Sequence, residues 1–294
     1  MQRIRLHAAL WMALLGFLPV LLPGAVHAQA SKDFVPQVGQ EGKDVIWVPT
    51  PQSLVERMLD MAKATTRDYV IDLGSGDGRT VITAAKRGIR ALGIEYNPDM
   101  VELSKRNAEK EGVAGRAQFV HGDIFQTDFS QATVLTLYLL PSLNVKLRPT
   151  ILKMKPGTRV VSHAFSMDDW QADMTDNVEG RTAYLWIVPV RVEGTWRWNG
   201  GGGNHEMILK QHYQQVDGVV RLDDKMGQLR NVKINGDQIA FTIFDAANTR
   251  RDYAGKVTEN GIEGTIKQAT SEAKWSATRS VPTQTPAQAP AQKY

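Results

Sequence analysis

An α/β fold with a mostly parallel sheet, followed by a smaller antiparallel β-domain, is the fold class this sequence predicts. Two observations carry it. Between residues 50 and 190, short apolar runs alternate with segments of helical periodicity, the pattern of strands joined by right-handed helical crossovers. Beyond residue 190 the helical period disappears. Short strand-like runs then follow at close spacing, separated by turns rich in Gly and Asn.

The elements read in order. Thr50-Pro51 has the form of an N-cap and first residue of a helix whose apolar face is Leu54, Val55, Met58, Leu59 and Ala62. Tyr69-Val70-Ile71-Asp72-Leu73 is a short apolar run ending in turn residues, as expected of a strand buried on both faces. A helix is predicted over 79–87, closed by Gly88. Residues 91–95 form the next strand, and Asn97-Pro98 caps a helix that stops at Gly112. Further strands are predicted at 117–120, 133–140, 158–165 and 182–190. In the second half, strands at 196–198, 207–213, 219–222, 239–244, 253–257 and 262–266 suggest a small barrel or sandwich. The predicted divisions are residues 31–190, residues 191–282, and a disordered tail of Pro, Gln and Ala over 283–294.

Composition narrows the chemistry. The chain of 294 residues is 42% hydrophobic and 22% charged, an ordinary globular balance. A formal charge of +4 is too mild for a nucleic-acid-binding face, so no nucleic-acid partner is expected. There is no cysteine, which excludes disulfides, thiolate metal sites and a thiol nucleophile. The histidines His121, His163, His205 and His212 show no metal-ligand spacing, so no metal site is expected and a structural or surface role is predicted. Residues 1–30 have the layout of a secretory signal peptide. Arg3 and Arg5 precede an apolar stretch, and Val26-His27-Ala28 and Ala28-Gln29-Ala30 both fit a small-x-small cleavage site. An uncleaved anchor is the alternative reading. Either way a periplasmic or envelope location is expected.

The strongest chemical signal is Asp72-Leu73-Gly74-Ser75-Gly76-Asp77-Gly78-Arg79, which follows a predicted strand and opens a predicted helix. Glycines there let the backbone turn tightly and approach a ligand closely. Glu95 stands at the end of the next strand, where an acid hydrogen-bonds ribose hydroxyls, and Asp123 follows the third strand, where it could accept from an adenine amino group. Acids in the glycine loop would repel a pyrophosphate and suit a cation bearing sulfonium and ammonium groups.

On these residues the chain resembles class I S-adenosylmethionine-dependent methyltransferases. The resemblance implies a Rossmann-like fold with the β-domain as an addition. It implies that Asp72, Gly74, Ser75, Gly76 and Gly78 cradle the methionine part of S-adenosyl-L-methionine, that Glu95 holds the ribose and that Asp123 holds the adenine. The likeness is closer to the small protein-lysine methyltransferases, including those of the mitochondrial ATP synthase c-subunit and the adenine nucleotide translocase. Val48-Pro49-Thr50-Pro51, Gly93-Ile94-Glu95-Tyr96-Asn97-Pro98, Tyr138-Leu139-Leu140-Pro141, Leu147-Arg148-Pro149, the run from Lys155 to Ser162, and Asp169-Trp170 carry it. It adds Thr50 to the cofactor contacts.

Where amide- and adenine-methylating relatives place an Asn or Asp before Pro-Pro, this chain has Tyr138-Leu139-Leu140-Pro141. An apolar slot with one tyrosine suits an aliphatic amine. Tyr138 is therefore the expected acceptor contact and a protein lysine, on a membrane or envelope protein, the expected acceptor. A small-molecule amine or hydroxyl is the alternative acceptor. An exported, non-catalytic binding protein is the alternative from another class, because S-adenosylmethionine is made in the cytosol.

Overall fold

The computed structural model describes residues 34–200 and 203–280. The signal-like segment, the tail over 283–294 and residues 201–202 lie outside the described residues. Among the described residues no helix is long and apolar enough to cross a membrane.

The first half is a seven-stranded sheet. Its strands are β1 (Tyr69–Leu73), β2 (Arg90–Glu95), β3 (Ala117–His121), β4 (Val134–Leu137), β5 (Arg159–His163), β6 (Met174–Val178) and β7 (Arg181–Ile187). Their order is β3-β2-β1-β4-β5-β7-β6. The first five are parallel, while β7 runs antiparallel to β5 and to β6. β1 is flanked by β2 on one side and β4 on the other, so the strand order reverses there and a crevice opens at the C-terminal ends.

Helix α1 (Gln52–Met61) precedes β1, and α2 (Arg79–Lys86), α3 (Pro98–Lys110) and α4 (Pro141–Ile151) connect strands of the sheet. α1 buries Leu54, Val55, Met58 and Leu59 of the face its periodicity predicts, with Ala62 buried just beyond its end, and it buries Met61 in addition. Each such side chain contributes on the order of 2 kcal/mol of burial. α3 is capped as its sequence predicts, with the Asn97 side chain accepting from the Asp99 and Met100 amides and Pro98 at the first turn. Two apolar clusters form. One, under α1 to α3, includes Leu59, Val81 and Phe119; the other, under α4, includes Leu147, Trp170 and Trp186.

The second half is a closed barrel of eight antiparallel strands, in the order β10-β11-β12-β13-β14-β15-β8-β9. They are β8 (Gly194–Gly200), β9 (Gly203–His212), β10 (Gln215–Leu222), β11 (Lys225–Asn235), β12 (Gln238–Phe244), β13 (Arg250–Val257), β14 (Gly261–Gln268) and β15 (Ser271–Arg279). Side chains fill its interior, as eight strands allow. Trp196, Trp198, Phe241, Tyr253 and Trp275 form the aromatic part of that core.

Several sequence expectations are corrected here. Thr50 is not a helix cap: the cap position falls on Pro51, with no side-chain hydrogen bond, and the Thr50 hydroxyl is engaged elsewhere. The fourth strand stops at Leu137, because the chain turns out of the sheet edge there. Helix α4 and strands β6, β11 and β15 are additional to the predicted elements.

Candidate functional site

Parallel strands point their C-terminal ends the same way, and here five successive ends converge on one cavity of about 640 Å³. Asp72 comes from β1 and Glu95 from β2. Asp123, Tyr138 and Phe165 follow β3, β4 and β5. The glycine turn after β1 supplies Gly74, Ser75, Gly76 and Asp77, and Thr50 enters from the segment before α1. The volume falls within the usual range for small-molecule sites. Of the sequence-predicted site residues, only Gly78 is absent from the lining. Gly74, Gly76 and Gly78 all have left-handed backbones, with φ of 77°, 54° and 82°. A Cβ on Gly76 would lie 2.7 Å from the Trp47 indole nitrogen, at the cavity wall. A Cβ on Gly78 would instead lie 2.7 Å from Phe119 Cζ and 2.9 Å from Ser104 Cβ. Gly78 therefore serves close packing of α2 on its neighbours, not ligand approach. The Ser75 hydroxyl also turns inward, toward Gly93, and is buried without a protein partner. Only its backbone is offered to the cavity.

The carboxylates are held in distinct ways. Glu95 accepts from the Gly76 amide at 2.9 Å with one oxygen and from the Asn97 amide at 2.9 Å with the other. Its remaining lone pairs are free to accept from two adjacent hydroxyls. Asp72 is buried and accepts from the Thr136 hydroxyl at 2.6 Å, across the β1–β4 junction where the strand order reverses. Burial pushes its carboxyl up to about 7, against the hydrogen bonds from Thr136 and Thr80 and with help from the Glu95 and Asp77 charges. Asp77 is not free for a cation, because Arg79 grips it with its guanidinium and also donates to the Thr50 carbonyl at 2.8 Å. Asp123 accepts from the Phe125 amide at 2.9 Å and from the Lys43 ammonium at 2.6 Å. The Lys43 hydrogen bond, foremost, holds its carboxyl below the ordinary range.

Lys43 and Trp47 belong to a lead-in segment whose sequence suggests only extended chain. In the structure residues 39–47 fold back on themselves. The Gly39 amide donates to the Trp47 carbonyl and the Trp47 amide to the Gln40 carbonyl, both at 2.9 Å. This strap roofs the cavity, with Lys43 set 4.7 Å above the Tyr96 ring. No sequence motif marks it; proximity comes from the tertiary fold alone.

At the far end the lining is Val48, Tyr138, Leu139, Leu140, Leu143 and Phe165. Tyr138 stacks on His163 with centroids 3.8 Å apart, and Phe165 lies 6.1 Å from it on a near-parallel plane. His163 is buried, and its Nδ1 shares a 3.0 Å hydrogen bond with the Thr50 hydroxyl. Burial, assisted by Arg181, lowers its pKa to about 4, so the ring is neutral at physiological pH. Among the described residues no cluster of three or more His, Asp or Glu side chains could hold a metal ion.

A profile of the ANTKMT methyltransferase domain matches residues 72–174, the stretch from the buried aspartate to the edge strand β6. A protein-lysine N-methyltransferase of Saccharolobus islandicus is 45% identical over 151 residues, 49% of this chain and 94% of that protein. The chain belongs to the class I S-adenosylmethionine-dependent methyltransferases. S-adenosylmethionine is the cofactor of this methyltransferase. The mouse lysine N-methyltransferase of the ATP synthase c-subunit is 31% identical over 174 residues, 59% of this methyltransferase and 68% of that protein. A solved RNA methyltransferase of Salinibacter ruber, in complex with S-adenosyl-L-homocysteine, shares 50% identity over 49% of this chain and 96% of its own, with a TM-score of 0.48.

Proposed function

We propose that this methyltransferase is a protein-lysine N-methyltransferase working on a Rossmann-like sheet. In this reading Glu95 accepts from the ribose hydroxyls, Asp123 from the adenine amino group, and the turn from Asp72 to Gly76 holds the methionine part. Thr50 closes that side. The single observation that carries the lysine reading is the far end of the cavity. The residues lining it after β4 and β5, Tyr138, Leu139, Leu140, Leu143 and Phe165, include no side-chain amide or acid to orient a planar amino group.

When bound, S-adenosylmethionine supplies an electrophilic methyl on sulfonium. The chain's own work is to align and desolvate. Tyr138, Leu139, Leu140 and Phe165 exclude water, which favours the neutral form of an entering lysine amine. Tyr138, Leu139, Leu140 and Phe165 would hold that amine in line with the methyl, whose transfer to nitrogen would leave the carbon–sulfur electron pair on sulfur. The proton leaves the methylated nitrogen afterwards to solvent. The Tyr138 ring offers a negative face to the cation so formed. The names of the curated relatives support a protein acceptor, as does the mild net charge of +4. The export-like segment at residues 1–30 supports an envelope location for the acceptor.

Two measurements test this. Calorimetric titration of S-adenosylmethionine is expected to show micromolar binding, about −8 kcal/mol, lost in Glu95→Ala. Incubation with methyl-tritiated cofactor and an envelope fraction is expected to leave label that survives ribonuclease, is destroyed by protease, and elutes as methyl-lysine on hydrolysis. Label released by ribonuclease instead would overturn the lysine reading.

A further inference from the structure

The barrel meets the sheet through one of its two ends. Its strands alternate in direction, so the β9–β10 turn (Tyr213, Gln214) and the β11–β12 turn (Gly236) emerge at the same end. The second of these rests on the segment before β5. The Val190 amide donates to the Gly236 carbonyl at 2.8 Å, and a Cβ on Gly236 would stand 2.9 Å from Gly157 Cα. The first reaches further. Tyr213 packs against the apolar cluster under α4, stacked 5.8 Å from Trp170 with planes 23° apart. The Trp170 indole donates to Gln214 Oε1 at 3.0 Å, and Gln214 Nε2 donates to the Gln171 carbonyl at 2.7 Å. The Tyr213 hydroxyl donates to Asp169 at 3.1 Å.

The hydrogen bonds made across the interface by Tyr213 and Gln214 fall on the connection between β5 and β6, which carries Phe165 into the acceptor end of the cavity, and the Tyr213 ring also lies 5.5 Å under the Arg148 guanidinium of α4. That connection is not relaxed on its own. Ala164 and Asp168 sit at φ of 62° and 60°, a left-handed backbone that costs a non-glycine residue free energy unless its surroundings impose it. From the α4 side, Asn144 donates to the Phe165 and Ser166 carbonyls at 3.2 Å, and Arg148 to the Met167 carbonyl at 2.7 Å. From the sheet, the Trp186 indole donates to the Trp170 carbonyl at 2.7 Å. The barrel closes the third side.

We infer that the barrel is a brace for the acceptor wall, and that Tyr213 and Gln214 are positioning residues that fix Phe165 through Asp169 and Trp170. The inference rests on the acceptor end assigned under the proposed function, and it leaves the cofactor contacts untouched. Among the described residues, none of the barrel's hydrogen bonds reaches the glycine turn, Glu95 or Asp123.

The test uses the full chain with Tyr213→Ala, Tyr213→Phe, Gln214→Ala and Gln214→Glu. Cofactor affinity is measured by calorimetry with S-adenosylmethionine, and transfer with tritiated cofactor at graded amounts of envelope protein. The alanine variants are expected to bind cofactor within twofold of the intact chain. Transfer at low acceptor should fall about tenfold, the scale of two lost hydrogen bonds. Tyr213→Phe, which keeps the stack, and Gln214→Glu, which keeps the acceptor for Trp170, should recover part of it. Unchanged transfer in both alanine variants overturns the brace. So does a loss that merely tracks cofactor affinity or melting temperature. If the intact chain itself labels no protein, the lysine reading fails, and the brace is judged by amide exchange instead. Acceleration confined to residues 164–171 supports it, and no acceleration there overturns it.

Discussion

The Tyr138 and His163 rings lie face to face, 3.8 Å between centroids and 28° apart in plane, with the Thr50 hydroxyl bonded to the far partner. One ring lines the cavity and the other is buried behind it, so this wall of the cavity is set from within the core. Tyr138→Ala is expected to lower methyl transfer about tenfold, on the scale of a lost aromatic pair plus a lost cation–π contact, while Tyr138→Phe stays near the intact rate. Steady-state transfer with tritiated cofactor reads the difference, and cofactor affinity should not move in either variant.

The neutrality of His163 has a consequence for acid stability. Its folded pKa is depressed to about 4 from an ordinary 6.5. Between those values the unfolded chain takes up a proton that the folded chain refuses, so this contribution to stability is lost as pH falls through the window. His163→Phe retains the stack and removes the titration. Its melting temperature should decline less than that of the intact chain from pH 6.5 down to 4.

Asp72 works in the opposite direction, because burial raises a carboxyl that is charged when unfolded. From pH 4 to about 7 the unfolded chain releases a proton that the folded chain keeps, so stability falls as pH rises and then levels off. Asp72→Asn should therefore melt higher than the intact chain, by a margin that grows up to pH 7 and stays constant above it. The same variant should bind S-adenosylmethionine more weakly at pH 8, since a cation near Asp72 gains from its charge.

Two glycines with similar backbone torsions separate packing from strain. Gly78→Ala must push Phe119 and Ser104 aside as well as hold a left-handed alanine, and should cost about 2–4 kcal/mol in chemical denaturation. Gly112 has φ of 69° but open space around its Cβ position. Gly112→Ala should cost only about 1 kcal/mol.

The strap makes a kinetic prediction. Lys43 and Asp123 pair across the rim of the cavity that the proposed reading gives to the cofactor, so the pair is expected to slow its escape. Lys43→Met should raise the S-adenosylmethionine dissociation rate about two- to fivefold, the range of exposed ion pairs. In stopped-flow measurements, added salt should shrink that difference.

The glycine turn, Glu95 and Asp123 were legible because each is a residue type whose chemistry is tied to a strand end, and periodicity locates strand ends. β11 and β15 were not, because barrel strands with one solvated face and few large apolar residues give a faint alternation: of β15, only Trp275 and Ala277 are buried. Helix α4 carries Pro149 within it and buries only Asn144, Leu147 and Ile151, so its helical stripe is thin. Thr50 has the composition of a cap but spends its hydroxyl on His163, 113 residues away, a partner that no local pattern announces. Lys43 and Trp47 reach the cavity for the same non-local reason.

The barrel's two ends are unequal. One is anchored through Tyr213, Gln214 and Gly236, while the opposite end carries the turns at Asp223-Asp224 and Ala269-Thr270, which join neighbouring strands only. A fluorophore or epitope spliced into either of those turns would ride on the enzyme as a silent passenger. The same insertion at residues 213–214 would be felt across the interface, at the acceptor wall. Within one small ring of strands, the molecule thus offers a handle at one pole and a control point at the other.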